Sequence, residues 1–368
     1  MTPVKLILVG GFLGAGKTTL LAQAAGKLAG DKKRVGLITN DQAADLVDTA
    51  LLRSKGFDVN EVAGGCFCCR FDDLVNASDK LILEQKPEVL IGEPVGSCTD
   101  LAATVVQPMN AFNSGKIAAM PFTVVVDPDR LKNMIEKSDA DNPLSQKVTY
   151  IYGKQLEEAD IIALNKVDSL GAAETASLTA ELQRRFPQAK VMTISALKGD
   201  GVDAWLAEVL SGAPAGQHIA DVDYDIYADG EAELGWLNAS VKLSAQNPAD
   251  WKRFSLDVLK NFRTKLLAQK IEAAHVKLSL TAPGAALVAN LTSTHGQPFL
   301  VVQGTYEGPS REARLLFNAR VQTDPVILRD LVESTLRESA GTEMKADFGE
   351  LRAFKPGRPV PLHRFAGK

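Results

Sequence analysis

The segment 11–18, Gly-Phe-Leu-Gly-Ala-Gly-Lys-Thr, has the residue types and the spacing of a loop that binds nucleotide phosphates. Its three glycines let successive backbone N–H groups point at an anion, and the helix expected near Lys17 adds the partial positive charge of its N-terminus. Lys17 is expected to bridge the β- and γ-phosphates, Thr18 to offer its hydroxyl to Mg²⁺, and Thr19 to contact the α-phosphate. The predicted phosphate contacts are Gly11, Gly14, Ala15, Gly16, Lys17, Thr18 and Thr19.

A second motif, Asn-Lys-Val-Asp at 165–168, directly follows the apolar run 161–164 and indicates guanine as the base. An aspartate at the carboxyl end of a strand can accept hydrogen bonds from the guanine N1–H and 2-amino group, which adenine cannot match. We therefore predict GTP rather than ATP; an ATP-dependent kinase would require Asp168 to be irrelevant. The predicted base-site residues, which include the end of the next strand, are Asn165, Lys166, Asp168, Ser195 and Ala196.

Two further segments are candidate switches that respond to the γ-phosphate. Glu93 follows the apolar run 89–92 and is expected to hold Mg²⁺ through a water, while the Gly96 N–H is placed to sense the γ-phosphate. Asp41 follows the second predicted strand, where it can contact the metal or a water or, alternatively, cap the next helix. Catalytic roles are assigned to Lys17, Glu93 and Gly96, and Mg²⁺ contacts to Thr18, Asp41 and Glu93.

The predicted reaction is the attack of water on the γ-phosphate, with charge on the transferred group stabilised by Lys17, Mg²⁺ and the loop N–H groups. The motifs contain no glutamine or arginine finger that would complete such a site. We therefore expect slow intrinsic turnover that an assembly or a client accelerates.

Three of the four cysteines fall within four residues, in Gly-Gly-Cys-Phe-Cys-Cys at 64–69. The glycines let the backbone fold tightly enough for Cys66, Cys68 and Cys69 to face one ion, and thiolates favour Zn²⁺ or another thiophilic ion over Mg²⁺ or Ca²⁺. Three sulfur ligands leave one tetrahedral position open, which suits an ion that is handed on. The alternative is a set of small buried residues in a turn, and Cys98 is expected to be such a residue rather than a fourth ligand.

These motifs need a framework that brings strand ends together, and the hydrophobic pattern predicts one. Short β-rich runs alternate with amphipathic stretches up to about residue 210, as in βαβ units, and several runs are apolar on both faces. The sequence therefore predicts an α/β P-loop fold with a mostly parallel sheet between helices. The predicted strands are 4–12, 34–39, 89–92, 122–126, 161–164 and 191–194.

The pattern changes near Gly-Ala-Pro-Ala-Gly at 212–216. We predict a GTPase domain at 1–212, a linker at 213–220, a smaller α+β domain at 221–354, and a tail at 355–368 that is extended or loosely packed.

Within the smaller domain a strand followed by a helix occurs twice. The run 236–241 precedes Asn-Pro at 247–248, and the run 316–321 precedes Asp-Pro at 324–325, so that Asn or Asp caps each helix and proline occupies its first turn. With further strands at 276–280, 286–291 and 299–303, this predicts a split βαβ sandwich, one antiparallel sheet backed by two helices. An apolar stripe at helical spacing is assigned to the core: Trp251, Phe254, Val258, Phe262 and Leu266.

Bulk composition excludes some partners. A net charge of -4 and a pI near 5.7 give no electrostatic footprint for nucleic acid or for an anionic membrane. No run approaches the roughly 20 apolar residues of a membrane-spanning helix. With few cysteines and no secretory leader, we expect a soluble cytoplasmic protein.

In combination, the segments 11–18, 66–69, 93–96 and 165–168 resemble the CobW-like GTPases, relatives of the urease and hydrogenase nickel-insertion GTPases. The resemblance covers roughly the first 200 residues. It implies a metallochaperone: GTP binding loads or presents a metal on the cysteines, hydrolysis resets the switch, and a client metalloprotein receives the ion. A nucleotide-dependent homodimer also fits this resemblance.

The chain departs from the family pattern in its Asn-Asp-Gln segment at 40–42, in Glu-Pro-Val-Gly at 93–96, and in having only four histidines. The cargo is therefore left open between zinc, our first choice, and cobalt with a corrinoid enzyme. A regulatory GTPase whose cysteines are structural is the alternative of another class.

Overall fold

The computed structural model describes residues 2–41, 52–53, 56–136, 142 and 144–366. The side chains of residues 41 and 303–305 are outside the description. The chain forms two compact units.

The first unit is built on parallel strands. Those in the described ranges are β1 (Val4–Gly10), β2 (Val35–Asp41), β3 (Val59–Ala63), β4 (Val89–Glu93), β5 (Ile117–Ala119), β6 (Thr123–Val126), β7 (Ile161–Leu164) and β8 (Lys190–Thr193). Their order is β3-β2-β4-β1-β6-β7-β8, and β5 also pairs with β1. Every one of these pairings is parallel, as predicted.

The helices of this unit connect the strands. They are α1 (Lys17–Gly30), α2 (Phe71–Gln85), α3 (Gln107–Asn113), α4 (Pro128–Glu136), α5 (Gln146–Glu157), α6 (Ala172–Arg185), α7 (Val202–Val209) and α8 (Tyr224–Ala232). A π-helix at Ala102–Val106 leads into α3, and a 3-10 turn at Val167–Ser169 follows β7. Four consecutive residues of β1, from Leu6 to Val9, are almost fully buried. Since successive side chains of a strand point to opposite faces, both faces of the sheet are covered there.

All six predicted strands of this unit are present, and the α/β P-loop class is confirmed. β1 ends at Gly10 rather than at residue 12, because Gly11 has a φ of +124° and turns the chain. The sequence did not predict β3 or β5. Asn60 and Glu61 interrupt the apolar pattern of β3, and β5 has only three residues.

The second unit is an antiparallel sheet with two long helices. Its described strands are β9 (Gly235–Ala249), β10 (Ala273–Ala282), β11 (Ala285–Leu291), β12 (Phe299–Tyr306), β13 (Ser310–Val321) and β14 (Met344–Phe354), and its helices are α9 (Trp251–Ala268) and α10 (Pro325–Ala340). The order is β12-β11-β10-β13-β9-β14. The four strands β10-β13-β9-β14 and both helices form the predicted split βαβ arrangement, and β11 and β12 extend its edge. The apolar stripe of α9, from Trp251 to Leu266, is buried in the core of this unit.

The predicted helix starts are correct in one copy of the repeat and wrong in the other. Asp324 caps α10 by accepting from the Val326 N–H, and Pro325 occupies the first turn. At the first copy, however, Asn247 and Pro248 lie within β9. The cap is Asp250, whose side chain accepts from the N–H groups at 252 and 253. β9 continues to Ala249 because that residue pairs with Ser310 of β13 beyond a register shift, and this pairing is not visible in the local sequence.

The boundary between the two compact units does not coincide with the predicted domain boundaries at residues 212 and 221. The predicted division into domains stays a prediction. Residues 57–230 and the described tail from 358 group with the first unit, and residues 231–357 with the second. The predicted linker packs on the first unit: the Gly216 N–H donates to Asp160 at 2.6 Å, and Gln107 donates to the Gly216 carbonyl at 2.6 Å. The tail is extended, but it is bonded to the first unit rather than loose.

None of the described helices is both long and apolar enough to cross a membrane.

Candidate nucleotide site and cysteine cluster

The glycine loop between β1 and α1 has the backbone geometry that the sequence predicts. Gly11, Gly14 and Gly16 all have φ between +80° and +124°, a region that disfavours side chains. A Cβ on Gly11 would also lie 2.3 Å from the Val125 carbonyl oxygen, and one on Gly16 would lie 2.4 Å from Asn165 Nδ2. Glycine is therefore required at both positions by conformation and by space.

Lys17 begins α1 and is 6% exposed. Its ammonium donates to the Gly11 carbonyl at 2.9 Å, so it folds back over the loop. A Cβ on Gly96 would lie 2.9 Å from the same Nζ. The predicted second switch therefore passes directly beside the loop lysine.

Thr18 and Glu93 meet at the carboxyl ends of β1 and β4. The Thr18 hydroxyl donates to Glu93 Oε1 at 3.1 Å, and both side chains are buried. A hydroxyl beside a carboxylate supplies the oxygen ligands that Mg²⁺ takes in nucleotide sites, so these residues fit the predicted ion. The side chain of Asp41, the third predicted Mg²⁺ contact, lies outside the described residues. Thr19 is partly exposed in the first turn of α1.

The base-site residues are joined to the loop by one side chain. Asn165 donates to the Ala15 carbonyl oxygen at 2.8 Å and accepts from the Ala196 N–H at 2.8 Å. The Ser195 hydroxyl donates to Asp168 Oδ1 at 2.7 Å, which orients the carboxylate. The structure thus brings the phosphate loop and both predicted base segments to one edge of the sheet.

Lys166 has a φ of +61° and reaches back to the phosphate loop, where it donates to the Gly14 carbonyl oxygen at 2.9 Å. It also pairs with Asp127, which follows β6 and accepts from the Arg130 N–H at the start of α4. Burial would raise the pKa of Asp127, but the charge and hydrogen bond of Lys166 outweigh it and lower that pKa. Asp127 therefore stays ionised and fixes Lys166.

The three predicted cysteines converge. Their sulfur atoms are 2.8 Å apart between Cys66 and Cys68, 3.1 Å between Cys66 and Cys69, and 3.7 Å between Cys68 and Cys69. The chain turns tightly here because the N–H groups of Cys69 and Arg70 both donate to the Cys66 carbonyl oxygen. A tetrahedral Zn²⁺ with bonds of about 2.3 Å requires sulfur atoms about 3.8 Å apart. The cluster admits such an ion once two of its separations open by about 1 Å or less.

Burial and acidity differ among these thiols, and Cys66 is the most acidic of the three. Hydrogen bonding with the Cys68 thiol, and next with the Cys69 thiol, holds the pKa of Cys66 well below its ordinary value. Hydrogen bonding to Cys66 raises the pKa of Cys68, and it raises the pKa of Cys69 to about 11. Cys66 is thus the first of the three thiols to ionise, and Cys68 and Cys69 stabilise its thiolate. Cys66 and Cys68 are buried, whereas Cys69 is partly exposed.

Cys98 is buried, as expected, but it lies closer to the site than the sequence indicated. Its thiol hydrogen-bonds with Cys66 and Cys68. The group of described residues whose ligand atoms all lie within 4.8 Å of one another comprises Cys66, Cys68 and Cys69, without Cys98.

A family model described as CobW/HypB/UreG, nucleotide-binding domain, matches residues 5–193, which is more than half of the chain. The chain belongs to this family. The matched range contains the phosphate loop, the cysteines and the Asn-Lys-Val-Asp motif, so the resemblance drawn from these motifs is confirmed.

Several named proteins are similar to this CobW/HypB/UreG domain. Zinc chaperone CobW from a Sinorhizobium species is 30% identical over 212 residues, or 52% of this chain and 58% of that protein. Zinc chaperone YjiA from Escherichia coli K12 is 29% identical over 239 residues, or 61% and 70%. A solved structure of zinc-bound YjiA GTPase from E. coli gives a TM-score of 0.37 at 17% identity, covering 92% of this chain and 100% of that one. The chain matches little more than half the length of the Sinorhizobium relative.

Sequence reasoning missed the residue that ties the cysteine loop of this family member to β2. Asn40, near the end of β2, donates to the carbonyl oxygens of Val62 and Gly65 at 2.8 and 2.7 Å, and accepts from the Phe67 N–H at 2.9 Å. An asparagine beside Asp41 at a strand end was a visible signal, but its partners lie 22 to 27 residues away.

Gln155 of α5 was also missed. Its amide donates to the carbonyl oxygens of Gly96 and Cys98 at 3.0 and 2.8 Å. Gln155 therefore fixes the segment from Gly96, in the second candidate switch, to Cys98. Nothing in the local sequence of α5 indicates this contact.

Proposed function

We propose that this protein is a GTP-hydrolysing metallochaperone that holds a thiophilic divalent ion, zinc first, on Cys66, Cys68 and Cys69. It passes the ion to a client metalloprotein in a way that depends on the bound nucleotide. The observation that carries the proposal is the convergence of three sulfur atoms in a loop that hydrogen-bonds to the carboxyl end of β2, at the same edge of the parallel sheet as the phosphate loop. The relatives named zinc chaperones support zinc as the cargo.

The hydrolytic half of the proposal uses the chain's own residues at the edge of the sheet. Lys17 turns from the Gly11 carbonyl oxygen to the β- and γ-phosphates, and the loop N–H groups stabilise charge on the transferred phosphoryl group. Thr18 and Glu93 would hold Mg²⁺, which neutralises phosphate charge when bound. Gly96, whose Cβ position lies 2.9 Å from Lys17 Nζ, would respond to the γ-phosphate through its N–H.

Two contacts support coupling between nucleotide and metal. Asn40 links the first candidate switch to the cysteine loop, and the segment from Gly96 to Cys98 links the second one to the same cluster. A shift of either strand end on GTP binding therefore changes the spacing of the sulfur atoms. Metal affinity follows that spacing because Zn²⁺ requires a fixed sulfur geometry.

The test is a metal titration of the untagged protein with GDP or with a non-hydrolysable GTP analogue. Bound metal is first identified by elemental analysis. Co²⁺ and Zn²⁺ affinities are then measured against a chelator, with the sulfur-to-Co²⁺ charge-transfer band as the readout. We expect one ion per chain, an affinity that differs between the two nucleotides, and a loss of more than about 100-fold in Cys66→Ala, larger than typical outer-shell losses.

Equal metal affinity in the two nucleotide states would contradict the coupling. Inert or absent metal would favour a regulatory GTPase with structural cysteines, and cobalt in the purified protein would favour the cobalt alternative. Transfer is tested by adding apo forms of candidate metalloproteins and following loss of the Co²⁺ band.

A further inference from the structure

The C-terminal segment 358–366 lies over the cysteine loop of the first unit. It contains neither helix nor strand, yet its exposure alternates along the chain. Pro359 is buried, Val360 is 70% exposed, and Pro361 is partly buried. Such alternation is typical of an extended segment with one side against a surface.

Backbone N–H groups of this segment bond directly to the cysteine residues. The Val360 N–H donates to Cys69 Sγ at 3.2 Å, and the Leu362 N–H donates to the Cys68 carbonyl oxygen at 3.0 Å. Proline has no N–H, so within 359–361 the donor can come from Val360 alone. The flanking prolines favour an extended backbone before docking, which lowers the entropy lost when the contact forms. Cys69 stays partly exposed with this segment in place, so the contact narrows the approach to its sulfur without closing it.

The segment is anchored a few residues further on. Arg364 Nε lies 2.7 Å from Asp100 Oδ2, and the Asp100 side chain is fully buried. The Tyr224 hydroxyl donates to the same carboxylate oxygen at 2.7 Å. Because a buried carboxylate that loses its partner is strongly destabilised, the guanidinium is held firmly. Next to it, the Phe365 N–H donates to the Ala103 carbonyl oxygen of the π-helix at 3.0 Å.

Aromatic contacts lie between the two attachments. The His363 ring is 5.2 Å from the Phe71 ring, edge-on, and 5.0 Å from the Phe112 ring. Phe71 begins α2, two residues after Cys69. The segment thus contacts the chain on both sides of the cysteine cluster: the cysteine loop with α2, and the stretch that follows Cys98.

We propose that residues 359–365 form a cover that retains metal on the cysteine cluster, with Val360 as the positioning residue for the Cys69 sulfur. The cover narrows the approach of a competing ligand on the Cys69 side, and its N–H···S bond orients that sulfur. Displacement of the cover exposes the cluster to the recipient. This inference rests on the proposed metal function and adds the element that controls exchange.

A matched pair of substitutions in the full chain tests the N–H contact. Val360→Pro removes the donor between two residues that are already proline, whereas Val360→Ala keeps the donor and removes an exposed side chain. In Co²⁺-loaded protein we expect transfer to an excess of chelator to be about tenfold faster in Val360→Pro. The sulfur-to-Co²⁺ charge-transfer band should move to lower energy, because the sulfur lone pairs lose a hydrogen-bond donor. Val360→Ala should match the parent protein in both measurements.

A second pair tests the anchor. Arg364→Ala removes the partner of buried Asp100, while Arg358→Ala removes an arginine of the same segment whose partner Asp225 is exposed. We expect faster Co²⁺ transfer in Arg364→Ala only. In metal-free protein, alkylation of Cys69, followed by mass spectrometry, should also be faster in Arg364→Ala than in Arg358→Ala.

The outcomes separate this inference from the proposed function. A parent protein that fails to bind Co²⁺ through sulfur overturns both. A parent that binds Co²⁺, with unchanged transfer rate and band energy in Val360→Pro and unchanged transfer in Arg364→Ala, overturns the cover alone. Equal effects of Val360→Pro and Val360→Ala would assign the role to the side chain and also overturn it.

Discussion

The sulfur atoms of Cys66, Cys68 and Cys69 are close enough that they titrate as a group. The pKa of Cys66 is lowered by the Cys68 and Cys69 thiols, whose own pKa values rise in return. Since the thiolate is the form that binds metal, an incoming ion must displace protons from the other two.

Metal affinity should therefore rise with pH. Cys68 and Cys69, whose pKa values are raised, carry protons at neutral pH, so binding to all three sulfur atoms releases about two protons or more, and the logarithm of the affinity should rise by about two or more per pH unit. Zn²⁺ competition at several pH values between roughly 6.5 and 8 measures the slope, and calorimetry in buffers of different ionisation enthalpy counts the protons. A slope near zero would mean that the ion is not bound by these thiols.

Asp168 is the residue that should distinguish guanine from other bases. Its carboxylate accepts from Ser195, which leaves acceptor capacity for the guanine N1–H and 2-amino group. ITP is the matched probe, because hypoxanthine lacks the 2-amino group and is otherwise the same.

The parent protein should bind GTP more tightly than ITP by about tenfold or more, as expected for a hydrogen bond to a charged group. In Asp168→Ala this preference should disappear, and GTP affinity should fall to that of ITP or below. Fluorescent-nucleotide competition measures all four affinities. A GTP preference that survives the substitution would assign base recognition to other residues.

At the scale of elements, β2 and the cysteine loop are joined by the Asn40 side chain. Its three hydrogen bonds fix the end of β3 and the loop that follows it, and this loop contains Cys66. The amide is buried, so its loss leaves buried backbone groups without a partner and costs about 1–3 kcal/mol.

We expect Asn40→Ala to weaken Zn²⁺ binding about tenfold and to reduce its dependence on nucleotide. Asn60→Ala is the control, since Asn60 lies on the adjacent strand β3 and donates to the Ala77 carbonyl oxygen at 3.2 Å, away from the cysteines. Thermal unfolding of both variants separates loss of stability from loss of coupling. Equal nucleotide dependence in the two variants would show that the coupling does not pass through Asn40.

At the scale of the whole molecule, nucleotide and metal sites are two ligands of one protein, so their coupling must be reciprocal. If the GTP analogue changes Zn²⁺ affinity by a given factor relative to GDP, Zn²⁺ must change the ratio of nucleotide affinities by the same factor. We expect a factor of about 5 to 150. The measurements are the Zn²⁺ affinity with GDP and with the analogue, and the ratio of the two nucleotide affinities with and without Zn²⁺. In Cys66→Ala the coupling factor should fall to one. Unequal factors would point to a linked assembly step such as dimerisation.

The amino-acid sequence by itself determined the motifs whose parts are close neighbours along the chain. The phosphate loop, the Asn-Lys-Val-Asp segment and the cysteine triplet each span four to eight residues. The spacing of the apolar runs was enough to predict a parallel sheet in the first domain and an antiparallel sheet in the second. It also indicated which strand ends would meet, because parallel strands present their carboxyl ends at one edge.

Tertiary structure decided the contacts that join these motifs. Thr18 meets Glu93 across 75 positions, Asn165 meets Ala15 across 150, and Val360 meets Cys69 across 291. It also decided that Pro248 lies in a strand: the register between β9 and β13 shifts between the pairs Ser244–Glu312 and Ala249–Ser310, and such an irregularity tolerates a residue without an N–H. The physical reason is the same in each case: a local pattern specifies backbone conformation and buried faces, whereas a hydrogen bond between distant residues depends on how the elements pack.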